Sequence, residues 1–169
     1  TNHNKFDKNE FKALSKKSRK EEIYILPGVE LSVNDGANGI HSLVVFNPKE
    51  WLENDTDFIN QFLTQTFAGK SNYENENGRS NDSLIETIKK LDAFEKDYFI
   101  IMAHVEQKSG FYNELNGGRI KELGEHPIFQ KSVLGFQKMR TREYKKNLEL
   151  WLNNKLPAAV EGSDPKKIE

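Results

Sequence analysis

The sequence predicts an α/β fold, a mainly parallel sheet with helices on its outside. Three observations lead there. Apolar, β-branched runs of strand length recur along the chain. Stretches with apolar residues at three-to-four spacing fall between them. Clusters of Gly, Pro, Asn and Asp separate the two kinds. Strands alternating with helices join as βα units, which set their strands parallel. A chain of 169 residues gives one domain with room for a sizeable core.

Residues 7–21 read as a polar helix, capped by Asp7 or Asn9, with Phe11 and Leu14 as a narrow apolar stripe. Residues 23–26 read as a strand, Pro27-Gly28 as a break, and 29–33 as a second short strand. A turn-forming cluster, Asn34 to Gly39, leads to a buried-type strand over 40–46. Asn47-Pro48 ends that strand and starts a short helix through Trp51. An amphipathic helix follows over 55–67, then a polar loop over 68–80. A helix over 83–94, capped by Asn81 or Asp82, carries Leu84, Ile85, Ile88 and Leu91 on one face. Residues 98–103 form the most hydrophobic run, which stops at His104. Residues 106–124, with four glycines, read as an irregular loop of the kind that carries function. A strand over 132–136, a helix over 141–153 and a last strand over 157–160 complete the chain.

The charge balance excludes some functions. Twenty-five basic against 26 acidic residues leave a net charge of -1, so no global field favours nucleic acid. The absence of cysteine excludes disulfides, thiolate metal sites and cysteine nucleophiles. No apolar run approaches the roughly 20 residues of a membrane span. No signal-peptide pattern is present, and a cytoplasmic protein is expected. The opening without Met and the closing Lys-Lys-Ile-Glu read as cuts, so the domain is expected to be truncated at both ends.

Glu30 and His41 stand out as polar residues inside buried-type strands. His104 sits at a strand end, Asp164 just past one, and His3 near the start, where a preceding strand would end. In open α/β sheets active sites gather at the carboxyl ends of strands. Imidazole and carboxylate together suit zinc, manganese or iron. Such an ion brings a bound water's pKa to around 7 and generates hydroxide at neutral pH. Each residue has a plainer reading too. His41 and His104 suit hydrogen-bonded core or edge positions, Asp164 suits a turn before Pro165, and His126 before Pro127 suits the surface. Arg79, in a polar loop before a helix start, and Lys138, Arg140 and Arg142, after a strand, are candidate phosphate contacts or simply solvated cations.

Thr-Asn-His-Asn, Pro-Gly-Val-Glu-Leu, Ile-His-Ser-Leu-Val-Val-Phe, Ile-Ile-Met-Ala-His and Glu-Gly-Ser-Asp follow one another along the chain. In this order they resemble successive motifs of the PHP (polymerase and histidinol phosphatase) family. The chain is most similar to the PHP-like amino-terminal region of larger proteins with an AAA-like or SMC-like ATPase domain. The resemblance implies a distorted (βα)7 barrel whose two or three transition-metal ions hydrolyse phosphoesters. It implies metal ligation by His3, Glu30, His41, His104 and Asp164, with Glu30 bridging two ions. Glu30, His104 and Asp164 would serve catalysis. Apart from the resemblance, Arg79 and Lys138 are candidate substrate contacts from their own settings, and Lys166 would neutralise substrate phosphate as a point charge. Three positions depart from the pattern. The family's opening His-x-His strand has no counterpart in these residues, Asn2 stands where the family has Asp, and Lys166 stands where it has His.

The expected function is therefore metal-dependent phosphoester hydrolysis within a larger ATPase-containing protein, on a phosphoester or nucleic-acid substrate, with no membrane partner. The alternative is a non-catalytic PHP-derived module that binds nucleotide or nucleic acid, or docks the ATPase portion. A third reading, a structural domain with incidental histidines, gains ground where His104 and Glu30 point away from one another.

Overall fold

Six strands lie side by side in chain order: β1 (Asn2–His3), β2 (Gly28–Val33), β3 (Ile40–Phe46), β4 (Tyr98–Met102), β5 (Val133–Gln137) and β6 (Ala158–Val160). These come from a computed structural model that describes residues 2–75 and 77–162; Asp164 and Lys166 fall outside them. The β1–β2, β4–β5 and β5–β6 pairs are parallel, while β3 runs against both neighbours. The α/β, mostly parallel expectation is met, and β3 has a physical reason to depart from it. Only residues 34–39 join β2 to β3, and a parallel pair needs a crossover of a dozen or more residues. Gly36 and Gly39, at φ of +71° and +78°, close the tight connection.

Among the described residues eight α-helices accompany these strands: α1 (Lys8–Lys20), α2 (Pro48–Trp51), α3 (Phe58–Thr66), α4 (Leu84–Asp92), α5 (Phe111–Glu114), α6 (Gly117–Glu125), α7 (Pro127–Ser132) and α8 (Arg142–Trp151). Their starts follow from capping chemistry. Asp7 accepts the Asn9 and Glu10 backbone N–H groups at 2.9 Å, and Asn47 with Pro48 opens α2 as expected. The cap of α4 is Ser83 rather than Asn81 or Asp82. Its hydroxyl accepts the Glu86 N–H while Glu86 accepts the Ser83 N–H, and this reciprocal box satisfies two free donors at once.

Two other expectations are corrected. Residues 23–26 join no sheet. The β2–β3 ladder runs out where the Phe46 N–H reaches the Pro27 carbonyl. Ile23, Tyr24 and Leu26 remain 56%, 88% and 52% exposed, so a β-branched run without a partner strand stays irregular. Residues 106–124 are not simply a loop but hold α5 and most of α6. Asn116 caps α6, and Ile120 and Leu123, three apart, are buried against the core, a signal masked in the sequence by the glycines.

The two faces of the sheet differ. Val29, Leu31, Ile40, Val44, Phe46, Ile100 and Met102 are buried in one continuous core with Trp51, Ile59, Phe62, Leu84, Ile88 and Leu91 from the helical layer. Alternation along the strands sends Leu43, Val45, Phe99 and Ile101 to the opposite face, where they stay half-exposed outside that core. Glu30 and His41 stand on this second face. No described helix is long and apolar enough to cross a membrane.

Candidate metal centre

Strand register assembles the centre. Parallel pairing sets His3 directly beside Glu30. Antiparallel pairing sets Glu30 opposite Leu43, so His41, two residues back along β3, shares the face. Because β3 is inverted, its first residues meet the edge where β1, β2 and β4 end. His104 lies two residues past β4, with a backbone φ of +30°, uncommon for a residue with a side chain. Three hydrogen bonds hold this turn. Ala103 N–H donates to the His41 carbonyl at 3.0 Å, His104 N–H to the Gln137 side-chain oxygen at 3.1 Å, and Gln107 N–H to the His104 carbonyl at 2.8 Å.

The donor atoms converge. His41 Nδ1 lies 2.8 Å from Glu30 Oε1 and 3.1 Å from His104 Nε2, and His104 Nε2 lies 3.6 Å from the same Glu30 oxygen. His3, Glu30 and His41 each offer a ligand atom, all within 4.8 Å of one another. The His3 and His41 ring centroids are 5.3 Å apart. Glu30 and His104 therefore face each other, so the reading with incidental histidines gains no ground here. The neighbouring imidazoles of His104 and then His41 hold the Glu30 carboxyl well below the usual carboxylate range, against the opposing effect of burial.

The chemistry of the set fits a transition metal. Ligand atoms around a tetrahedral ion with bonds near 2.0–2.2 Å stand roughly 3.4 Å apart, close to the spacings among Glu30, His41 and His104. His104 Nδ1, buried and without a hydrogen-bond partner, leaves Nε2 as the nitrogen turned to the cluster.

Asn4, fully buried, ties the centre to its surroundings. Its Nδ2 lies 3.0 Å from His3 Nε2 and donates to the Tyr73 and Gly78 carbonyls at 2.7 and 3.0 Å. Its Oδ1 accepts the Ser32 N–H at 3.0 Å. His3 Nε2 also lies 3.2 Å from the Gly78 carbonyl. One amide thus fastens the 73–78 loop to β2 and braces His3. Sequence reading passed over Asn4, although it is part of the Thr-Asn-His-Asn run.

A polar cleft of about 490 Å³ opens over the centre, lined by Ser32, Asn38, His41, Arg79, His104 and Lys108 among others. Arg79, a candidate substrate contact, does reach it. Its Nη1 donates to the Ala37 carbonyl at 3.1 Å, and its chain passes so near Gly39 that a Cβ there would meet Cδ at 2.6 Å. Lys138 is not among the lining side chains; it follows β5, half-buried, with its N–H on the Val160 carbonyl. Arg140 pairs with Glu161 at 2.6 Å. His126 is half-buried at the start of α7 rather than a plain surface residue, and its Nδ1 is buried. Lys108 was not singled out, although the 106–124 segment was read as functional in kind. Asp164 and Lys166 lie outside the described residues. No family model, curated protein or solved structure matches the chain.

Proposed function

We propose that this chain is part of a PHP-like, metal-dependent phosphoesterase that hydrolyses phosphoesters with metal-activated water. The observation that carries this reading is the meeting of Glu30, His41 and His104 within 3.6 Å, beside His3, with His41 and His104 lining a polar cleft. These four side chains would hold divalent manganese, zinc or iron, with Asp164 as a further ligand. Bound there, the metal would supply a water acidic enough to attack at neutral pH and would polarise the phosphoryl oxygen. The chain's own residues prepare the site. Glu30 stays ionised and offers both oxygens, Asn4 orients His3, and Arg79 neutralises substrate charge at the cleft wall. Lys166 is a further candidate for phosphate contact.

The half-exposed face bearing Leu43, Val45, Phe99 and Ile101 supports the finer fold reading. In a distorted (βα)7 barrel such a face turns inward and is covered by the remaining strands. The same resemblance makes an AAA-like or SMC-like ATPase region the expected partner. The test is turnover of bis(p-nitrophenyl) phosphate and p-nitrophenyl phosphate by purified full-length protein loaded with manganese or zinc. Turnover that Glu30→Gln abolishes is expected, and no turnover on either ester overturns the proposal.

A second reading, a non-catalytic binding module, draws on the 2.8 Å Glu30–His41 contact, which is also a complete hydrogen bond needing no ion. Metal analysis of the full-length protein separates the two. Tightly bound transition metal favours the enzyme, and its absence favours the module.

A further inference from the structure

Two loops each bring one cationic side chain to the cleft beside the His–Glu cluster. Arg79 follows Gly78, whose carbonyl lies 3.2 Å from His3 Nε2. Lys108 precedes Ser109, whose carbonyl accepts the His41 N–H at 2.8 Å, and stands just past the turn that Gln107 closes on His104. Both side chains line the cleft that holds His41 and His104. Arg79 is held in place from two sides, by its own bond to the Ala37 carbonyl and by the Lys70 ammonium on its carbonyl oxygen.

Neither cation is spent on a carboxylate. Among the described residues, the ion pairs involve neither Arg79 nor Lys108. The nearby acid, Glu114, is occupied by the Ser109 N–H and by the backbone and side-chain N–H groups of Asn38. Among the described residues the rest of the lining is Ser32, Ala37, Asn38, Asn77, Gln107 and Ser109, with no aromatic ring beyond the imidazoles. Such a wall offers charge and hydrogen bonds but no platform on which a base could stack.

We infer that the cleft takes a substrate carrying a second phosphate beside the one to be hydrolysed, and that Arg79 and Lys108 hold that second phosphate. This rests on the phosphoesterase reading for the first phosphate. The guanidinium matches two phosphate oxygens at once, and the ammonium adds a mobile point charge. Selection is by charge and not by base, so a phosphodiester backbone and a small bisphosphate share the required chemistry.

The test has a binding arm and a turnover arm. In the first, EDTA-treated protein is titrated with inorganic pyrophosphate by calorimetry at low and high salt. Binding that weakens with salt is expected, and the Arg79→Gln/Lys108→Met double variant, shown folded by circular dichroism, should lose roughly tenfold or more in affinity. No binding by the parent protein, or equal binding by the variant, overturns the inference. In the second, manganese-loaded protein is assayed on a dinucleotide with and without a terminal phosphate, and on a hexose bisphosphate and its monophosphate. A rise of about tenfold in kcat/KM for the second phosphate in one pair, collapsing in the double variant, supports the inference and identifies the source. Equal kcat/KM within both pairs overturns it. Pyrophosphate binding that the double variant loses, with no turnover of any ester, supports the clamp and overturns the phosphoesterase reading instead.

Discussion

His41 Nδ1 lies 2.8 Å from Glu30 Oε1 across the antiparallel β2–β3 pair, and His104 Nε2 approaches the same pair from the end of β4. A carboxylate in this position accepts from His41 and is the only anion among the three. Glu30→Gln keeps the shape and removes the charge. Zinc or manganese affinity, measured by competition with a chromophoric chelator, is expected to fall by roughly a hundredfold or more, beyond the loss typical of an outer-shell partner. Unchanged affinity would show that Glu30 is not a ligand.

Asp35 is 7% exposed in the β2–β3 connection. Its Oδ1 accepts two N–H groups of Arg119 at 2.8 and 3.1 Å, and its Oδ2 accepts the Leu84 N–H at 2.7 Å. Asp35→Ala leaves the buried Leu84 N–H without its acceptor, while Arg119 keeps Glu122 at 2.9 Å, so urea denaturation should give a loss of about 2 kcal/mol. Asp35→Asn, which keeps an acceptor, should lose less.

Gly78 passes so close to the Tyr73 carbonyl that a Cβ would overlap it. Gly78→Ala must therefore displace the loop whose carbonyl meets Asn4 and His3. A stability loss of roughly 1–3 kcal/mol is expected in chemical denaturation. Weaker metal binding should accompany it, whereas a change in stability alone would uncouple the loop from His3.

The Tyr98 phenol is raised well above its ordinary value of 10.0, by burial first and then by the hydrogen bond to Asp92 at 2.6 Å. The unfolded chain therefore ionises before the fold does. The linkage keeps stability full below pH 10 and lowers it as pH climbs through the raised folded value. Tyr98→Phe should lose about 1 kcal/mol at neutral pH from the missing bonds to Asp92 and Ser132. Above pH 10 it should show a shallower decline than the parent in pH-dependent urea titrations.

Sequence pattern revealed most where a side chain was out of place for its local setting. Glu30 and His41 were visible because a polar group in a buried-type strand is costly. His104 was visible because it interrupts an apolar run. The strands over 40–46 and 98–103 were legible from their β-branched and aromatic runs. Residues 23–26 have the same local character, and only the length of the neighbouring ladder, a tertiary property, keeps them out of the sheet. Asn4 and Lys108 carried no local signal. The first matters through three partners far along the chain, and the second through a turn that folds back over His41.

The cluster draws its donors from β1, β2, β3 and the end of β4, and no two come from one continuous element. The unfolded chain thus contains no partial chelate, and His3 joins only when a two-residue edge strand has docked on β2. Metal capture by this chain would consequently act as a proofreader of its own assembly. Protein misassembled anywhere between the first strand and the fourth would remain unmetallated, and metal content would report the correctly folded fraction of a preparation.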